Sequence, residues 1–139
     1  MTIRDTLIEQ LRAHFPDRRF VIGNGPDPLV TFEPQHPEVG EVRISEEDAE
    51  AIVAIGDITH GHFACYDETK DADAKRRFVV EGVVEFLGAL FEDRVLLWSH
   101  VDGGSGGFEV LEVRPDRIPP DQDVRWFLWS GPLECEVQK

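Results

Sequence analysis

Apolar and polar positions alternate along this chain in two distinct rhythms. At the start, Ile3, Leu7, Leu11 and Phe15 recur every fourth residue, which lines up one stripe of a helix. Thr2 precedes the stripe and Asp5 follows three residues later, the spacing of a capping box, and Pro16-Asp17 ends the run. The longest segment of helical spacing covers residues 70–91. There Phe78, Val79, Gly82, Val83, Phe86, Leu87, Leu90 and Phe91 form a wide stripe for burial, with Asp67 or Thr69 as the starting cap and Asp71 and Asp73 at the positive end.

Between and after these helices the rhythm shortens to that of strands. Residues 19–23 and 29–33 are short strand candidates around the turn Asn24-Gly25-Pro26-Asp27-Pro28. Residues 39–45 and 50–58 read as a hairpin with Glu46-Glu47-Asp48 at its tip, and the second of these strands carries apolar groups on both faces. A competing reading makes Ser45 a cap and residues 46–54 helical. Residues 94–101 predict another strand. The glycine-rich run Asp102–Gly107 predicts a hairpin loop before renewed alternation from Phe108 to Val113. A proline-containing connection leads to strands at 124–130 and 133–137, around Gly131-Pro132. Helix, strands, long helix, strands is the order of an α+β fold. The expected architecture is an antiparallel β-sheet packed on one face by the N-terminal helix and the long central helix.

Length adds that the 139 residues are expected to form one domain, 1–139, with enough apolar content (41%) for a core. Two cysteines, Cys65 and Cys135, make no disulfide framework and match no zinc or redox spacing. With no basic, then apolar, N-terminal segment this leads to an expectation of a cytoplasmic protein. No apolar run approaches the length needed to cross a membrane.

Charge changes the picture most. There are 28 acidic residues against 14 lysines and arginines, a net charge of −14. Such a field repels nucleic acid and anionic membranes and favours a basic protein partner. Glu46, Glu47, Asp48 and Glu50 form one dense acidic tip, and Asp67, Glu68, Asp71 and Asp73 form a second acidic segment. Among the tryptophans, Trp126 and Trp129 fall on opposite faces of one strand. One belongs to the core, and Trp129 is the candidate for an exposed interface residue.

The sharpest chemical pattern is Asp57-Ile58-Thr59-His60-Gly61-His62. On an extended chain His60 and His62 point to the same side, where two imidazoles can share a metal. If the 94–101 strand is adjacent, His100 completes a cluster for Zn²⁺ or Fe²⁺, with Asp57 or Asp102 orienting or ligating. Cys65 and Ser105 lack the surroundings that activate a nucleophile. The glycine loop lacks the Lys-Ser/Thr of a phosphate loop.

These residues support a first reading as a non-enzymatic acidic protein-binding module without a cofactor, docking a basic partner through Glu46, Glu47, Asp48, Asp67, Glu68, Asp71 and Trp129. In size and acidity the chain is similar to the small acidic α+β proteins encoded beside secreted toxins, such as bacterial immunity proteins. That similarity rests on no residue-level motif and transfers no site. The alternatives are a small metal-dependent or acid–base hydrolase centred on His60, His62 and His100, and a structural domain that forms homodimers through an exposed strand edge.

Overall fold

The computed structural model describes residues 2–103, 106–115 and 123–133. Its first helix, α1 (Ile3–His14), starts where the local chemistry requires. The Thr2 hydroxyl accepts from the Asp5 amide at 3.1 Å, and the Asp5 carboxylate accepts from the Thr2 amide at 3.3 Å. Two otherwise unpaired backbone donors are thereby satisfied.

Five strands follow as a meander in which each pairs antiparallel with the next: β1 (Phe20–Ile22), β2 (Val30–Phe32), β3 (Val42–Glu47), β4 (Glu50–Ile55) and β5 (Thr59–Phe63). The hairpin reading of residues 39–58 holds against the helical one, with a shifted tip. Asp48 and Ala49, at φ 50° and 65°, form a two-residue turn, so Glu47 pairs with Glu50. Both residues on the left-handed side of φ is the signature of the turn whose twist matches its strands. The predicted return strand 50–58 is shorter than expected. It ends at Ile55, the chain reverses through Gly56, and β5 runs back beside β4.

The long helix α2 (Ala72–Phe91) is capped by Asp71, whose carboxylate accepts from the Ala74 amide at 2.8 Å, rather than by Asp67 or Thr69. After it, β6 (Val95–His100), β7 (Gly106–Val110), β8 (Val124–Leu128) and β9 (Gly131–Leu133) form a second antiparallel sheet in the order β7-β6-β8-β9. The fold is therefore α+β, with the strands divided between two sheets. The turn before the last strand falls at Trp129-Ser130, so Gly131 and Pro132 pair with β8 instead of forming the bend. Of the predicted 133–137 strand only Leu133 lies within the described residues.

One core joins these parts. Val42, Ile44, Ala51, Val53 and Ile55 point inward from the first sheet, and Val95, Leu97 and Phe127 from the second. Between them lie Val79, Val80, Val83, Leu87 and Leu90 of α2, which touches β4, β5, β6 and β7, while α1 lies against α2 through its Ile3, Leu7, Leu11 stripe. Where the sheets meet, Phe63, Phe86 and Phe108 stack edge to face or tilted, with ring centres 5.0–5.6 Å apart. Gly107 is under the Trp98 indole, where a Cβ would come within 2.4 Å, so the end of the glycine run is packed strand. Two apolar residues depart from the sequence reading. Phe78 is 48% exposed, with the Lys70 ammonium 4.7 Å from its ring centre, because α2's buried face begins only at Val79. Trp129 is 2% exposed and packs on Phe91 at 5.5 Å between ring centres. It shares the inward side with Phe127, so Trp126 is the member of the pair on the opposite face, 5.8 Å from Trp98. No helix among the described residues is long and apolar enough to cross a membrane.

Candidate functional site

Strict alternation in the first sheet leaves one face to solvent. Val42 and Ile44 of β3 point inward while Arg43 and Ser45 point out; Ala51, Val53 and Ile55 of β4 point inward while Glu50, Ile52 and Ala54 point out. In β5 the buried position is Gly61, and His60 and His62 are exposed. Space at Gly61 is tight, since a Cβ would come within 3.1 Å of the Phe108 ring that reaches over from the second sheet. The outward residues line a shallow open groove of about 920 Å³, floored by Ile52 and Ala54 and edged by Arg43, Ser45, Asp57 and His60.

One rim of the groove is a chain of polar contacts. The His60 and His62 rings are 5.2 Å apart and inclined at 68°. The register pairs His62 with Ile52, two residues along β4 from Glu50, and His62 Nδ1 lies 3.3 Å from Glu50 Oε2. The other carboxylate oxygen, Oε1, accepts from the Tyr66 hydroxyl at 2.8 Å. These contacts, Tyr66 first and His62 second, hold the Glu50 carboxyl below its usual range. The same bond to a carboxylate pushes the Tyr66 phenol above its ordinary value, because ionising it would place two negative groups in contact. On the opposite rim, Asp27 Oδ1 accepts from Arg43 at 3.0 Å and from the Ser45 hydroxyl at 2.7 Å.

The structure thus joins two of the three predicted histidines. His100 ends β6 in the other sheet, opposite Val124. Among the described residues no group of three or more His, Cys, Asp or Glu side chains is arranged to hold a metal ion. Cys65 is a free, half-buried thiol; Ser105 and Cys135 lie outside the described residues.

The acidic candidates divide by role. Glu47 and Asp48 are exposed at the β3–β4 tip, and Glu46 beside them is half-buried, its backbone amide bonded to the Pro26 carbonyl at 2.8 Å. Asp67 closes a turn, accepting from the Thr69 amide at 3.0 Å and its hydroxyl at 2.6 Å, bonds that lower its carboxyl below the usual value. Asp71 caps α2, and Glu68 is exposed between them. Trp129 is not a surface contact, because the core covers it. Tyr66, 83% exposed, is the aromatic residue beside these acids, and sequence reasoning passed over it. It has no local signal. Only the β4–β5 register places its neighbours within reach of Glu50. Comparison of the chain with known protein families, curated proteins and solved structures found no match.

Proposed function

We propose that this protein is an acidic binding module that docks a basic protein partner, as an immunity-type inhibitor docks a basic toxin. The observation that carries this reading is the Tyr66–Glu50 hydrogen bond. It ties the segment containing Asp67 and Glu68 to the hairpin whose tip bears Glu47 and Asp48, so that two acidic stretches distant in sequence flank one exposed tyrosine. Tyrosine supplies amphipathic contact area typical of interface anchors. Surrounding carboxylates steer a cationic surface toward it and reject acidic competitors. The net charge of −14 extends the attraction beyond the contact itself.

The test is affinity capture followed by a binding titration of the recovered partner at rising salt. The expected partner carries a basic surface and binds more weakly as salt increases. Binding is lost in Tyr66→Ala and in Glu47→Lys/Asp48→Lys. It persists in Glu9→Lys/Glu85→Lys, which reverses exposed charges on the helices. Equal loss in both charge-reversal variants would reduce the effect to net charge, and undiminished binding by Tyr66→Ala would remove the proposed anchor.

A further inference from the structure

From the open face of the first sheet we infer a surface site for one divalent transition-metal ion, Zn²⁺ or Cu²⁺, held by the imidazoles of His60 and His62 and oriented by Glu50. Three observations meet here. First, the spacing suits a shared ion. With metal–nitrogen bonds of about 2.1 Å and a ring centre about 1.1 Å beyond each nitrogen, two imidazoles at the tetrahedral angle stand about 5.2 Å apart between centres. The His60 and His62 ring centres are 5.2 Å apart.

Second, His62 already has the outer partner that metal-binding histidines use. In the tautomer with its proton on Nδ1, the ring donates to Glu50 Oε2 across 3.3 Å and leaves the Nε2 lone pair free. Glu50 also accepts from the Tyr66 hydroxyl at 2.8 Å, so a chain of contacts runs Tyr66, Glu50, His62. Third, the site is accessible and rigidly based. His62 is 53% exposed, and both histidines project from a strand paired along its length with β4. Asp57 on the same groove adds negative potential without being needed as a ligand. Imidazole donors favour Zn²⁺ and Cu²⁺ over Mg²⁺ or Ca²⁺, which prefer oxygen. Water fills the remaining positions. The site needs no third protein ligand and does not depend on His100, and it stands whether or not the basic-partner reading does.

The experiment is calorimetric titration of the full chain with Zn²⁺ and, separately, Cu²⁺, in parallel with NMR of the histidine rings. One ion per chain is expected, at micromolar affinity, with the ring signals of His60 and His62 moved or broadened and those of His14, His36 and His100 unchanged. His60→Ala and His62→Ala each abolish saturable binding, and His100→Ala leaves it intact. Glu50→Gln keeps the stoichiometry and weakens affinity by about tenfold. All four positions are on the surface or at a strand end, and circular dichroism verifies that each variant is folded. Absence of saturable binding, binding that survives the His60→Ala/His62→Ala double substitution, or dependence on His100 would each overturn the site. Unchanged affinity in Glu50→Gln would overturn its orienting role.

Discussion

Leu87 and Phe78 lie on the same helix, and their removal should have very different consequences. Leu87 is fully buried in the layer where α2 meets both sheets. Leu87→Ala removes buried methyl groups and leaves a cavity between elements that cannot all close on it, a change worth about 3–4 kcal/mol. Unfolding entropy of about 2.1 cal/mol/K per residue gives about 0.3 kcal/mol/K for a chain of this length, so Tm falls by about 10–14 °C. Phe78 is 48% exposed and its main identifiable contact is the Lys70 ammonium over the ring. An exposed contact of that kind contributes about 0.5–1 kcal/mol, and Phe78→Ala should lower Tm by no more than about 4 °C. Chemical and thermal denaturation followed by far-UV circular dichroism measure both. A Leu87→Ala loss below about 1 kcal/mol, or equal losses for the two variants, would refute this placement of α2.

Four further outcomes are expected. Tyr66 is the chain's only tyrosine, so phenolate absorbance reports it alone; its midpoint should lie above 10.0 and return toward that value in Glu50→Gln. Asp5, Glu50, Asp67 and Asp73 are all held below their ordinary values of 3.8 for aspartate and 4.5 for glutamate, chiefly by hydrogen bonds from Thr2, Tyr66, Thr69 and Arg76. Their contribution is present above those values and lost as pH falls through the lowered ones, so thermal scans from about pH 4.5 to about pH 2.5 should show a declining Tm, and a flat profile would contradict it. Ala49 occupies φ 65°, and Ala49→Gly should raise stability by about 1 kcal/mol, read by urea denaturation. Gly56 sits at φ 49° with a would-be Cβ 2.2 Å from the Val39 carbonyl oxygen, and Gly56→Ala should destabilise by more than about 2 kcal/mol and disturb the β5 amide signals in NMR.

The parts of the fold that sequence pattern conveyed were those decided locally. The Thr2–Asp5 box is a three-residue interaction, and α1 begins where it says. The period through Val79, Val83, Phe86, Leu87 and Leu90 is long enough to specify α2 without tertiary help. Phe78 continues that period and is nevertheless at the surface, because periodicity does not say where a neighbour ends. The reversal at Gly56 was hidden inside an apolar run that reads as one strand from Glu50 to Ile58. Parity established that Trp126 and Trp129 oppose each other, but which faces inward depends on α2 and Phe91.

The candidate site divides the same way. His60 and His62 are two residues apart on a strand, so their common face was legible. Joining His100 to them required the second sheet to place β6's far end beside them, and strand order is a long-range property. Glu50 and Tyr66 enter only through the β4–β5 register, and Arg43 with Asp27 only through the pairing of β3 with the preceding turn.

The strand order also bears on how the chain acquires its shape during synthesis. The first sheet is a succession of nearest-neighbour pairings, all complete once Phe63 has been made, so its contacts close short loops. The second sheet instead inserts β8 between β6 and β9, pairing Leu97 with Phe127 across thirty residues. On a ribosome the meander and α2 can therefore condense while the inner side of β6 waits for Phe127 and Trp129 to emerge. During that interval the edge of β6 that pairs with β8 has no strand beside it and Phe91, already against Phe15 and Phe32, still lacks Trp129; an unpaired strand edge of this kind favours misassociation until β8 is made.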